Sequence, residues 1–147
     1  MYSNIQHIIL DYNGTIAKDG ILKKEIHSLL EELSKKYTLH VITADTFGSV
    51  KEQIKEYEIK LHILKSEDHT REKKDYINSL GSDISLSIGN GNNDTKMLQT
   101  AQVGIAVLGD EGCSTQALLA SNIVCKSIED ALELPLNPKR LLATLRT

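Results

Sequence analysis

The chain has 147 residues, a formal net charge of -3, 40% hydrophobic and 25% charged residues. That size suits one domain, 1–147, and the composition excludes a disordered chain. Aromatics are only 4%, with no Trp, so the chain lacks the stacking platforms and the basic footprint of a nucleic-acid binder.

The first apolar run, residues 5–10, is β-branched and of strand length; further runs fall at 39–43, 61–64, 84–88 and 103–107, with a weak one at 123–125. Residues 17–22 read as a small hairpin flap, because Asp19-Gly20 is a hairpin-turn signal. Between the strands lie helical patterns. Residues 24–36 repeat Ile26, Leu29, Leu30 and Leu33 at spacings of three and four. Residues 49–57 and 70–80 do so more weakly, and Gly81 stops the latter. Residues 94–100, 114–120, 127–134 and 137–146 complete the set, with Pro138 suited to a first turn. Strand–helix alternation predicts an α/β fold, a Rossmann-like three-layer α/β/α sandwich on a parallel sheet. Ligands then collect at the carboxyl ends of the strands.

Those ends are informative. After the first run comes Asp11-Tyr-Asn13-Gly14-Thr15, after the second Thr43-Ala-Asp45, and after the fourth Gly89-Asn90-Gly91-Asn92-Asn93-Asp94. Lys73 and Lys74 stand near the start of the third helix. Singly, these residues are ordinary turn, cap and solvated-helix types. Together, at successive strand ends, they suggest phosphoryl transfer. Asp11 would attack phosphorus and form an aspartyl phosphate. The backbone N–H groups of Asn13, Gly14 and Thr15 would cradle phosphate oxygens. Thr43 and Lys73 would add a hydroxyl and a cationic donor. Asp94 and Asn90 would hold Mg²⁺, which prefers oxygen ligands and offsets repulsion between Asp11 and a phosphate dianion.

These motifs resemble those of the haloacid dehalogenase (HAD) superfamily. Its first motif is Asp-x-Asp-Gly-Thr, its second a strand ending in Thr or Ser, its third a helix lysine and its fourth Gly-Asp-(Gly)-x-Asn-Asp. The variant they are most similar to is the phosphorylation domain of P-type ATPases, with Thr43-Ala-Asp45 and Ala101-Gln-Val-Gly-Ile-Ala106 matching two further pump motifs. The pump spacing selects Lys73 over Lys74. The resemblance implies a stand-alone P-type-ATPase-like phosphatase without a cap domain, since each gap between Asp11, Thr43 and Lys73 holds about one helix. It implies Asp11, Asn13, Thr43 and Lys73 at the catalytic centre, metal ligands among Asp11, Asn13, Asn90 and Asp94, and support from Asp45, Gly89, Gly91 and Asn93. An uncapped site implies a large substrate, or a wall supplied by a second subunit of a homo-oligomer.

The pattern is broken twice. Position 13 is Asn where most of these phosphatases carry an Asp that protonates the leaving group and then activates water. Loss of such help costs about 10²–10⁴-fold. Position 90 is Asn where the family expects a metal-binding Asp, which implies weaker Mg²⁺ binding. A binding or regulatory module with little turnover is therefore the competing reading. A response-regulator receiver fits poorly because Asp11 follows the first strand rather than the third. A nicotinamide or flavin protein fits poorly because Asp94 occupies the final glycine position of the dinucleotide fingerprint.

No apolar run approaches the ~20 residues of a membrane span. Residues 1–7 carry neither a basic start nor an apolar signal core. Cys113 and Cys125 form no C-x-x-C pattern, so a cytoplasmic, free-thiol protein with no membrane partner is expected. The substrate expected is a small-molecule or macromolecular phosphoester or acyl phosphate. The five histidines show no metal-ligand spacing. Asp45 either caps the helix that follows or orients Thr43 and Lys73.

Overall fold

The computed structural model describes residues 4–45 and 48–147. Residues 1–3, part of the N-terminal stretch read above, lie outside the described residues. The main sheet is built from β1 (His7–Asp11), β4 (Thr38–Thr43), β5 (Ile59–Ile63), β6 (Ser85–Gly89), β7 (Val103–Val107) and β8 (Ile123–Cys125). Its order is β5-β4-β1-β6-β7-β8, and every neighbouring pair is parallel. The expected α/β sandwich is the architecture found.

Alternation along the strands sets the layers. Ile8 and Leu10 of β1 join Leu39 and Val41 of β4 on one face. There they meet α1 (His27–Ser34) through Leu30 and Leu33, α2 (Ser49–Ile54) through Val50 and Ile54, and α6 (Ile128–Leu136) through Ile128 and Leu132. Ile9 and Ile42 point to the other face, against Ile77 of α3 (His69–Leu80) and Met97 of α4 (Thr95–Thr100). The strands buried on both faces have the continuous apolar character of parallel sheets. Gly104 is required where α4 lies on β7, because a Cβ there would stand 2.2 Å from the Leu98 carbonyl oxygen.

Side-chain caps fix three helix starts. Asp68 accepts from Arg71 N at the head of α3, Ser114 from Ala117 N at the head of α5 (Thr115–Ala120), and Ser127 from Asp130 N at the head of α6. α7 (Pro138–Leu145) opens on its proline.

Several boundaries differ from expectation: α1 is shorter than residues 24–36, α2 ends at Ile54 rather than at 57, and β5 and α6 shift for identifiable reasons. β5 begins at Ile59 because it is an edge strand whose exposed Lys60 breaks the apolar run. α6 continues past Leu134 through buried Pro135, near enough to its end that few helical bonds are lost.

β2 (Ala17–Lys18) and β3 (Ile21–Leu22) form the expected hairpin. Asp19 (φ 53°) and Gly20 (φ 84°) supply the paired left-handed residues that a tight turn of this hand needs. The flap is tied to α2 by Leu22 N donating to Gln53 Oε1 at 3.1 Å.

Candidate active site

The sheet order makes β1 and β6 neighbours although two strands of the sheet, β4 and β5, and the hairpin lie between them in sequence, so the connections diverge at β1. Such a reversal opens a crevice at the carboxyl ends. A cleft of about 840 Å³ lies there, lined by Asp11, Thr43, Lys73, Asn90, Asn93 and Glu111 among others.

Lys73 organises the floor. The start of the second turn of α3 points it at the ends of β1 and β6, and it is 1% exposed. Its Nζ donates to Asp94 Oδ1 at 2.7 Å, Asp11 Oδ1 at 3.0 Å and Asn93 Oδ1 at 3.2 Å. An ammonium has three protons, so all its donors are used. Desolvation alone would lower the Lys73 pKa, yet Asp11 and Asp94 outweigh it and raise it. Lys74, by contrast, is exposed.

Asp11 reaches the cleft while paired with Lys73. Burial first, and the Asp94 carboxylate second, push its pKa up; Lys73 and the Thr15 hydroxyl oppose them. Thr15 Oγ1 lies 3.1 Å from Asp11 Oδ2 and 3.3 Å from Asn90 Oδ1. One hydroxyl proton cannot serve both, so two hard oxygens converge with acceptor capacity to spare. That donor set suits a hard divalent cation such as Mg²⁺.

Asp94, expected among the metal ligands, is engaged on both carboxylate oxygens by protein donors. It is fully buried and does not line the cleft. Its Oδ2 accepts from the N–H groups of Asn90 and Gly91, both at 3.0 Å, while Oδ1 takes Lys73. Asp94 therefore folds the fourth-motif loop and anchors the lysine. Gly89 makes this feasible, because a Cβ there would stand 2.5 Å from the Asp94 carboxyl group.

The proposed phosphate cradle is also narrower than the sequence suggests. Gly14 N donates to Ala17 O and Thr15 N to Tyr12 O. Both N–H groups are spent closing the turn, which leaves that of Asn13 as the one of the three not consumed there. The Asn13 side chain is turned to the flap, its Oδ1 accepting from Gly20 N at 3.1 Å. Tyr12 grips the same turn from the other side, donating from its hydroxyl to Gly20 O at 2.9 Å.

Thr43 is buried at the end of β4 and lines the cleft. Its Oγ1 accepts from Asp45 N at 3.2 Å, which leaves its own proton for a ligand. Asp45 Oδ2 accepts from Ser49 Oγ at 2.6 Å and Val50 N at 3.1 Å. Its carboxylate thus binds the first two residues of α2, whose N-cap is Gly48, while its backbone holds Thr43. Gly91 lines the cleft and lends its N–H to Asp94, as above.

Sequence reasoning missed the segment after β7, where Glu111, Gly112, Cys113 and Ser114 line the cleft. The strand-end rule applied to residues 103–107 would have found it. Among the described residues no three His, Cys, Asp or Glu side chains cluster as a metal site, and no helix is long and apolar enough to cross a membrane.

The fold is shared with solved structures that include hydrolases named for the haloacid dehalogenase superfamily. The chain is similar to 3-deoxy-D-manno-octulosonate 8-phosphate phosphatase of Moraxella catarrhalis, crystallised with magnesium, phosphate and KDO. The identity is 20%, the TM-score 0.74, and the match covers 97% of this chain and 94% of that one. The cobalt-bound phosphatase of the same name from Haemophilus influenzae gives 14% identity, a TM-score of 0.77, and coverage of 100% and 93%. A HAD superfamily (subfamily III A) hydrolase from Legionella pneumophila gives 15%, 0.76, and coverage of 97% and 87%. In sequence, an uncharacterized protein of Methanocaldococcus jannaschii is 54% identical over 61 residues, spanning 42% of this chain and 66% of that relative. No family model matches the chain.

Proposed function

We propose that the chain is a Mg²⁺-dependent phosphohydrolase or phosphotransferase acting through an aspartyl phosphate on Asp11. The observation that carries this reading is the Lys73 ammonium fixed between Asp11 and buried Asp94, with Asp11 open to the cleft. Burial and the Asp94 carboxylate push the Asp11 pKa up to about 7, and the Lys73 ammonium, shared with Asp94 and Asn93, opposes that rise and favours the charged form. The convergent oxygens of Asp11 and Asn90 and the backbone at Asn13 would hold Mg²⁺. When bound, that ion would neutralise phosphate charge.

In this scheme an Asp11 oxygen attacks phosphorus in line. The phosphorus–oxygen bond to the leaving group breaks, and its electron pair departs on that oxygen. The Thr43 hydroxyl and the Asn13 N–H bind the non-bridging oxygens, and Lys73 keeps Asp11 aimed. Water then attacks the acyl phosphate and releases inorganic phosphate. Asn13 can neither give nor take a proton, and its side chain is engaged with the flap. Leaving groups that need no protonation are therefore favoured: acyl and aryl phosphates over alkyl phosphates such as KDO 8-phosphate. This is the P-type-ATPase-like side of the sequence resemblance.

The test is Mg²⁺-dependent phosphate release from acetyl phosphate, an aryl phosphate and KDO 8-phosphate, by wild type and Asp11→Asn. The substitution should reduce release by about 10³-fold or more. Beryllofluoride with Mg²⁺ should raise the melting temperature of wild type and not of the variant, since a ligand bound only by the native state stabilises it. Retained release in Asp11→Asn would overturn the reading. Stabilisation by beryllofluoride without turnover on any substrate would instead favour a regulatory phosphate-binding module, the reading that Asn13 supports.

A further inference from the structure

The loop after β7 carries two adjacent carboxylates with opposite fates. Residues 109–112 form a tight turn: Gly109 and Gly112 are bridged, and Gly112 N donates to Gly109 O at 3.0 Å. Asp110 turns outward and pairs with Lys23 at 3.1 Å. Glu111 turns inward and lines the cleft. Among the described residues it has neither a hydrogen bond nor an ion pair. A Cβ placed on Gly14 would stand 3.0 Å from the Glu111 carboxyl group and 2.9 Å from Asn90 Nδ2. The carboxylate and the amide thus share one spot above the Gly14 backbone.

The loop is held in that position. Asn90 Nδ2 donates to Gly112 O at 3.1 Å, and Ser114 N donates to Asn90 O at 2.8 Å. A Cβ on Gly109 would stand 3.3 Å from Gly14 O. Glu111 is therefore presented to Asn90 by backbone contacts on both sides of it, rather than by a flexible stem alone.

Charge makes the placement meaningful. Mg²⁺ sites in proteins commonly use one or two carboxylates. Asp94 is committed to Lys73 and to loop N–H groups, and position 90 is a neutral amide. Asp11 would be left as the one carboxylate facing the ion, and Lys73 already offsets its charge. We propose that Glu111 supplies, from the loop after β7, the metal-directed carboxylate that Asn90 lacks, binding Mg²⁺ directly or through its water. The proposal rests on the phosphotransfer reading of the site and names the residue that restores its charge.

The experiment is a Mg²⁺ titration of the purified protein, read by melting temperature in the absence of substrate. It compares wild type, Glu111→Gln, Glu111→Asp, Asn90→Asp and the Asn90→Asp/Glu111→Gln double variant. Glu111 is exposed, so metal-free melting temperatures should agree across the Glu111 variants. Glu111→Gln should raise half-saturation by about 10-fold or more, within the range seen when groups supporting a metal are removed. Glu111→Asp should recover part of the loss. Asn90→Asp should tighten binding, and in that background Glu111→Gln should cost less than about 3-fold, since interacting sites are non-additive. Equal Mg²⁺ binding by wild type and Glu111→Gln would overturn this proposal and leave the phosphotransfer reading standing. Equal losses in both backgrounds would also overturn it, because Glu111 would then act independently of the missing charge. A wild type with no Mg²⁺ response at all would overturn both.

Discussion

Successive turns of α3 press two polar clusters against the same sheet face, and the two are built on opposite principles. Lys73 meets Asp11 and Asp94, a cluster of full charges with one member open to the cleft. Three residues later, Tyr76 meets a set built around an uncharged imidazole, that of His40. Its hydroxyl lies 2.6 Å from His40 Nδ1, and His40 Nε2 lies 3.0 Å from His7 Nδ1. The His62 ring sits beside Tyr76 with centroids 4.7 Å apart and contacts Glu72 at 2.7 Å. His40 is fully buried, and a neutral ring satisfies both neighbours by accepting at one nitrogen and donating at the other. Buried charge is expensive and buried neutral polarity much less so. The buried charge is kept at the end of the helix where a ligand arrives, and the histidine cluster closes on itself.

The sharpest way to break this contrast is Lys73→Met. It leaves Asp11 and Asp94 buried beside each other with no cation, and removing one partner of a buried ion pair typically costs about 3–5 kcal/mol. Urea unfolding should show that loss, and phosphate release should vanish with it. Adding Asp94→Asn should recover part of the stability without recovering release. If Lys73→Met were as stable as wild type, the charged cluster would not be a paired one.

Much of this was readable from residue order, and what was not has physical causes. Asp11, Thr43 and Lys73 stand at positions the strand-end rule selects, and Asp19-Gly20 marked the hairpin because its backbone demands left-handed residues. For Asp94 the sequence gives type and spacing but not burial or its Lys73 and loop N–H partners, which depend on Gly89 lacking a Cβ. The Gly14 and Thr15 N–H groups looked free because their acceptors, Ala17 O and Tyr12 O, exist only once the turn is closed. The strand-end rule marks the segment holding Glu111, but not which of its two carboxylates faces the cleft, because that depends on the tertiary approach of Gly109 to Gly14. The histidine cluster draws on β1, β4, β5 and α3, so it leaves no local spacing.

The histidine cluster should announce itself by pH. Burial first, then His7 and Lys60, lower the His40 pKa from 6.5 to about 4. Below 6.5 the unfolded chain takes up a proton that folded His40 refuses. Stability is therefore lost as pH falls from 6.5 toward about 4, and no further loss from this group follows below that. The loss should be on the order of 1–3 kcal/mol. Urea midpoints measured across that window should fall for wild type and fall less for His40→Gln, which keeps polar groups but does not titrate. Parallel slopes in the two proteins would show that His40 is protonated in the fold, and the two clusters would then not differ in kind.

The smallest effect belongs to Glu72, where the histidine cluster meets the surface. Its carboxylate accepts from Ser66 N at 2.7 Å and from Lys65 N at 2.9 Å, besides His62. The Ser66 amide is the leading cause that holds its pKa down, at about 2 against an ordinary 4.5. A depressed carboxyl group stabilises the fold above 4.5, and that contribution fades as pH falls toward about 2. Solvent screens a carboxylate this near the surface, so Glu72→Gln should cost no more than about 1 kcal/mol at neutral pH and nothing at the acid end. Amide hydrogen exchange at Lys65 and Ser66 should quicken in Glu72→Gln by up to about 5-fold. His62→Gln should change those rates less, because the amides rather than the imidazole hold the carboxylate. The reverse ranking would mean that the His62 contact, rather than the two amides, holds the carboxylate in place.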